Sequence, residues 1–166
     1  MLELRPFIPS DADEIVSWLG DETAFRKWSA DIYESYPISG ADMTAWYGKA
    51  SRGGSFFAYT TVDDGEIAGH LIIRFPKDKS TARFGFVIVD PERRGRGIGR
   101  QMLELSKKTA AEQFGAERAT LGVFANNEPA YRCYLAAGFR EAEGQKEEYC
   151  HIFDEDWLCI EMSVDL

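Results

Sequence analysis

Apolar and polar residues alternate with two distinct periods along this chain. Leu2, Leu4 and Phe7 give a short opening strand. Ser10-Asp11-Ala12-Asp13 reads as a helix start, with serine as cap and an acid three residues on. Ile15, Val16, Trp18 and Leu19 form the stripe behind it, and Gly20 is the stop. Residues 21–38 show no clean period and are rich in aromatics, so they are expected to be irregular. Ser39-Gly40-Ala41-Asp42 opens a second helix carrying Met43, Trp46, Tyr47 and Ala50. Three long strands follow: Ser55 to Val62, Glu66 to Phe75 and Thr81 to Val89. Asp63-Asp64-Gly65 and Pro76 to Ser80 punctuate them as turns, which makes an antiparallel meander. Ile98, Met102 and Leu105 then return to helical spacing, and Gly115 ends that helix. Ala119 to Ala125 is a strand, Asn127-Glu128-Pro129 opens a short helix, and Gly138 closes it. Phe139–Ala142 and Trp157–Val164 read as final strands, with Tyr149–His151 in the turn or strand between. The resulting order is β-α-α-β-β-β-α-β-α-β-β. It predicts a mixed α/β fold over residues 1–166, a single domain with flanking helices and no repeat or linker.

The chemistry concentrates where the third strand of the meander meets the next helix. Asp90-Pro91-Glu92-Arg93-Arg94-Gly95-Arg96-Gly97-Ile98-Gly99-Arg100 is basic and glycine-rich. A helix N-terminus offers N–H groups with no internal partner and the positive end of the dipole. Glycines let the backbone come close to a ligand, so this is a candidate anion site, with phosphate the usual guest. A tight turn bearing arginines for solubility is the plainer alternative. The spacing excludes a Walker loop, since no Gly-Lys-Ser/Thr occurs, and it does not fit the dinucleotide fingerprint. A phosphate- or nucleotide-binding domain of another fold is thereby disfavoured.

Composition narrows the class. The net charge is −9 and hydrophobic residues make up 45% of the chain. An acidic protein lacks the basic face that nucleic acid needs, so no nucleic-acid partner is expected. The same charge would attract a cationic amine, or simply maintain solubility. No apolar run approaches a membrane span, and the first residues do not resemble a signal peptide, so no membrane partner is expected. Cys133, Cys150 and Cys159 show no paired ligand spacing. Reduced thiols, no metal and a cytoplasmic setting are the expectation.

Arg94-x-x-Gly97-x-Gly99, placed after a strand and Asp90-Pro91, resembles the pyrophosphate loop of the GNAT N-acyltransferases. A second element is similar: Asn127-x-x-Ala130-x-x-x-Tyr134, followed by Gly138-Phe139. Positions 127, 130 and 134 share one helix face. The resemblance covers the whole chain, closely from 55 to 140 and loosely before 50. It implies the GNAT fold, with a central, mostly antiparallel mixed sheet flanked by helices.

The resemblance also implies acetyl-CoA as acyl donor, with direct attack by a primary amine in a ternary complex. Residues 94–100 (Arg94, Gly95, Arg96, Gly97, Ile98, Gly99, Arg100) and Asn127 would hold the cofactor. Backbone N–H groups of Val87, Ile88 and Val89 would polarise the carbonyl. Tyr134 would be the general acid, with Tyr131 as runner-up. Packing alone could also account for Tyr134, and helix capping for Asn127. The strand before the loop holds no acid, so the general base stays open among Glu22, His70, Asp90 or a water chain. The aromatics before residue 50 correspond to part of the acceptor site. Trp28 and Tyr33 are the substrate candidates, whereas Trp18 and Trp46 suit a core. The acceptor is an amine-bearing small molecule or a protein or peptide amine, and homodimeric association is left open. A non-catalytic acyl-CoA-binding or regulatory module on the same fold is the alternative.

Overall fold

The computed structural model describes all 166 residues. One eight-stranded sheet runs through it. Strand β1 (Leu2–Pro6) pairs with β2 (Phe56–Asp63), β2 with β3 (Glu66–Arg74) and β3 with β4 (Thr81–Val89), all antiparallel. β4 then meets β5 (Arg118–Phe124) in parallel, and β5 pairs antiparallel with β8 (Glu155–Asp165). Two short strands, β6 (Arg140–Glu141) and β7 (Glu148–Ile152), pair with successive halves of β8. The alternation predicted the β2–β3–β4 meander, and the mixed, mostly antiparallel sheet around it is the one that the family resemblance implied. No helix is long and apolar enough to cross a membrane.

Both faces of the sheet are covered. Helices α4 (Ile98–Phe114) and α5 (Glu128–Ala136) cover one face, where Met102, Leu103, Tyr134 and Phe139 pack on Leu71, Ile73 and Phe84. Helices α1 (Ala12–Ser17), α2 (Glu22–Ser29) and α3 (Gly40–Ala50) cover the other, where Ile15, Phe25, Met43 and Tyr47 pack on Ile72, Phe86 and Ile88. Successive residues of β3 serve opposite cores, as a period of two requires.

β4 breaks that rule. Phe84 and Phe86 are two apart yet belong to opposite cores. The cause is a β-bulge: Ile72 pairs with Gly85 and His70 with Ile88, so Leu71 faces two residues of β4. Phe86 takes the extra step at φ 48°, left-handed backbone that a bulky residue rarely adopts. A bulge bends its strand and adds twist. The β4–β5 ladder extends only over Thr81–Arg83 and Arg118–Thr120. Beyond it the strands splay, leaving the β5-facing edge of residues 84–89 without a strand partner.

Two helical expectations need correction. Ser10 does not cap α1: residues Pro9–Asp11 form a 3-10 turn, and Asp11 is buried at 2% exposure. Its carboxylate accepts from Arg5 Nη1 at 2.7 Å and Nη2 at 2.8 Å, and from Thr60 Oγ1 at 2.7 Å. Burial alone would push the Asp11 carboxyl up, but these donors and the Ile8 N–H outweigh it and hold it below the usual carboxylate range. Asp11, which the sequence placed inside the helix start, therefore anchors β1 and β2. The segment 21–38 is not wholly irregular either, since it contains α2. Asp21 caps that helix by accepting from the Ala24 N–H at 2.7 Å.

Candidate active site

The glycine-rich loop runs from the end of β4 to a helix N-terminus without a side-chain cap. Asp90 starts it by accepting from the Glu92 N–H at 2.9 Å. Arg93 is spent on structure: it pairs with Glu66, with Asp90 at 3.3 Å and with Asp63 at 3.7 Å. Arg94, Arg96 and Arg100 are exposed and hold no ion pair. Gly95 and Gly97 sit at φ 75° and 77°, the left-handed region where a β-carbon is strained. Gly97 is the N-cap of α4 and supplies no side chain to it. The first bond inside the helix runs from the Gln101 N–H to the Gly97 carbonyl at 3.0 Å. The N–H groups of Ile98, Gly99 and Arg100 therefore have no helical partner. Gly99 has a different reason to be glycine: a β-carbon there would lie 2.9 Å from Cys133 Sγ. Its bareness lets α5 close on α4.

A cavity of about 790 Å³ runs from this loop into the splay between β4 and β5. Val87, Ile88 and Val89 line it, as do Arg94, Gly95, Gly97, Ile98, Gly99 and Arg100. Arg96 does not. Leu121 and Gly122 form the β5 side, and Asn127 and Tyr134 reach it from α5. The Asn127 side chain makes no cap hydrogen bond to α5, so its amide is free to meet a ligand. Tyr134 is 7% exposed, and no group of the chain hydrogen-bonds its hydroxyl. Burial pushes that phenol well above its usual value, so it stays protonated. Tyr131 lies off the cavity, with its hydroxyl on Glu141 at 3.1 Å.

None of the three candidate bases reaches the cavity. Glu22 is exposed on α2. Asp90 is occupied in its turn. His70 is fully buried, and burial drives its imidazole down to about 3, so it is neutral. Its Nε2 lies 2.7 Å from the Tyr47 hydroxyl, inside the second core. Of the aromatic substrate candidates, Trp28 lines the cavity, with its ring 4.7 Å from that of Phe86. Tyr33 stacks behind Trp28 at 6.3 Å and is buried at 8% exposure, away from the cavity wall. Trp18 lines the cavity, although its sequence context suggested a core role alone.

Sequence reasoning missed the α2 wall. Asp21, Thr23, Ala24 and Lys27 line the cavity with Trp28. The repeat of i and i+4 positions (23 and 27, 24 and 28) was present in the chain, and so was the Asp21 cap.

Residues 22–139 match the family model described as "Acetyltransferase (GNAT) family". Among solved structures, a Vibrio cholerae spermidine N-acetyltransferase, in complex with CoA and spermine, is similar with a TM-score of 0.82. It is 20% identical, over 99% of this chain and 95% of that one. A putative phosphinothricin N-acetyltransferase is similar with a TM-score of 0.76 and 20% identity, over 100% of this chain and 99% of that one. A UPF0039 protein of Schizosaccharomyces pombe is 29% identical over 97 residues, 51% of this chain and 63% of that one. The overall fold is shared with these two solved structures, and with the match over residues 22–139 the chain belongs to the acetyltransferase (GNAT) family.

Proposed function

We propose that this protein transfers an acetyl group from acetyl-CoA to a primary amine by direct attack in a ternary complex. The observation that carries the reading is the unpaired edge of β4 beyond Arg83, opening on a cavity that ends at a bare helix N-terminus. The residues suit the donor. Free N–H groups of Ile98, Gly99 and Arg100, with the cations of Arg94 and Arg100, match a pyrophosphate. The open strand edge matches an extended pantetheine arm, whose amides need strand-like partners. Acetyl-CoA supplies the activated acyl group and a thiolate leaving group. Arg96 points to a more peripheral part in holding it.

The chain's own groups then divide the work. N–H groups on the free edge of Val87–Val89 are available to polarise a carbonyl, worth about 3 kcal/mol per donor in a dry site. Tyr134 holds a proton beside them and donates it to the departing sulfur. Asn127 orients the donor from the same helix face. With His70, Asp90 and Glu22 away from the cavity, the amine is taken up as the free base or loses its proton to water. Acetylation of amines by the Vibrio cholerae relative agrees with this chemistry, as does its complex with CoA. Cys133 needs no role, since no covalent enzyme intermediate is formed; burial pushes its thiol up.

Thiol release from acetyl-CoA across a panel of amines, with the acetylated product identified by mass, tests the reading. Turnover that depends on an amine is expected. Tight acetyl-CoA binding without turnover on any amine would replace the reading by a non-catalytic acyl-CoA-binding module. Turnover with hydroxyl or thiol acceptors alone would end the N-acyltransferase assignment.

A further inference from the structure

α2 carries two neighbouring cations, and the fold uses them differently. Arg26 turns back to the chain: its Nη1 donates to the Tyr33 carbonyl at 2.6 Å and the Ala30 carbonyl at 3.3 Å. Its guanidinium also lies over the Phe25 ring, 4.9 Å from the centroid. Lys27 does none of this. It is half-buried, lines the cavity, and has neither an ion pair nor a hydrogen bond. Trp28, the next residue, contacts Phe86 at the bulge, upstream of the end of β4. Lys27 thus stands on the wall facing the splay, on a different element from the glycine-rich loop.

The rest of that wall sharpens its meaning. Trp18, Leu19, Ala24 and Trp28 make it largely apolar. The single carboxylate lining the cavity is Asp21, and it is engaged at 2.7 Å in capping α2. Arg93 and Arg132, two of the other lining cations, are paired with acids of the chain. Arg94 and Arg100 belong to the loop. Lys27 is therefore the one unpaired cation lining the cavity outside the loop. It occurs in a chain with 28 acidic and 19 basic residues, where an acid would have been the commoner choice. A pocket for a purely cationic amine would place a carboxylate here, not an ammonium. An ammonium drawn against apolar surface gains most from an anion brought by the ligand.

Resting on the acetyl-transfer reading above, we infer that the acceptor is an amine that also carries an anionic group, a carboxylate or a phosphate. Lys27 holds that anion, and the apolar wall covers the carbon skeleton between. Lys27 is then a specificity residue: it selects and orients the acceptor and takes no part in the proton transfers. The −9 net charge does not set the choice, because the field that matters is the local one at the wall.

The test is a specificity ratio. Four acceptors are compared at saturating acetyl-CoA: methionine, its uncharged amide methioninamide, O-phosphoethanolamine and 1,4-diaminobutane. In the wild type, kcat/KM for methionine or O-phosphoethanolamine should exceed that for the amide and the diamine by roughly 10- to 100-fold, the range of one charge-assisted hydrogen bond. Whichever of the two anionic amines leads tells carboxylate from phosphate. Lys27→Gln should bring the ratio close to one through KM for the anionic amine, and Lys27→Glu should invert it toward the diamine. KM for acetyl-CoA should not move. A wild type that prefers the diamine or the amide overturns the inference and leaves N-acetyl transfer standing. So does a Lys27→Gln protein that loses acetyl-CoA affinity instead, since Lys27 would then serve the donor. Turnover on none of the four, with acetyl-CoA bound, overturns the inference, and a blank across every amine of the wider panel overturns the parent reading with it.

Discussion

Tyr134→Phe removes one oxygen and nothing else that the fold uses. The hydroxyl has no hydrogen-bond partner in the chain, so its loss leaves no orphaned donor or acceptor behind. The ring keeps its place against Phe139, 6.4 Å between centroids. Thermal stability should therefore stay within about 1 kcal/mol of wild type. Acetyl-CoA affinity should also stay, because the proton matters only as the thiolate leaves. General acid catalysis contributes about 10²–10⁴-fold. At about 1.36 kcal/mol per decade, that is roughly 3–5 kcal/mol of barrier. Burial raises the Tyr134 phenol above its ordinary value near 10. The wild-type rate should therefore climb with pH as the acceptor amine loses its proton, with no alkaline fall through about pH 10. The assay is single-turnover acetyl transfer with acceptor at saturation. Tyr131→Phe is the control, since it gives up only the exposed bond to Glu141. Equal rates in wild type and Tyr134→Phe would remove Tyr134 from the mechanism. An alkaline fall below pH 9 that disappears in Tyr134→Phe would contradict the raised phenol.

Two further outcomes test the scaffold around the site. Gly99→Ala puts a β-carbon 2.9 Å from Cys133 Sγ and should cost about 1–3 kcal/mol by thermal or denaturant unfolding. Cys133→Ala in that background should recover most of the loss, whereas no recovery would mean that Gly99 answers to something other than helix packing. The Asp11 carboxyl is held below its unfolded value of about 3.9, so its stabilisation is complete above that pH and is lost as pH falls through the lower folded value. Unfolding followed from pH 6 to pH 2 should show this loss. Asp11→Ala should cost about 1–3 kcal/mol at pH 7, discounted for the exposure of Arg5, and should flatten the acid response. An unchanged pH profile in Asp11→Ala would refute the ion-pair account.

The parts of this fold that were legible in the sequence are those where one residue's environment repeats at a fixed step. β4 alternates buried and half-exposed from Thr81 to Val89, and both its limits were readable. So were the Ser39–Asp42 capping box, the left-handed Gly115 that ends α4, and the loop from Arg94 to Gly99. α2 was overlooked although its Asp21 cap and its i, i+4 repeats stand in the chain, because the aromatics run on past it through Tyr33 and Tyr36 and mask where the helix ends. The bulge was not readable: no local signal marks Phe86 for positive φ, and the extra residue shows only in the register, where two residues of β4 stand opposite Leu71. The splay follows from that bulge and from the early end of the β4–β5 ladder, both non-local. Asp11 misled because an acid beside a capping serine reads as part of the helix start, and only its contacts with Arg5 and Thr60 reveal the other use.

The most direct measurement of the central claim is calorimetric titration of acetyl-CoA into wild type and Gly97→Val, with unfolding curves to certify both as folded. Gly97 stands at φ 77°, where a β-branched residue costs about 1–2 kcal/mol or more and would crowd the bare N-terminus of α4. The account predicts a saturable wild-type isotherm of one site per chain and at least tenfold weaker binding in Gly97→Val. No binding to wild type, or equal affinity in a folded Gly97→Val protein, would contradict the claim that this loop holds the acyl donor.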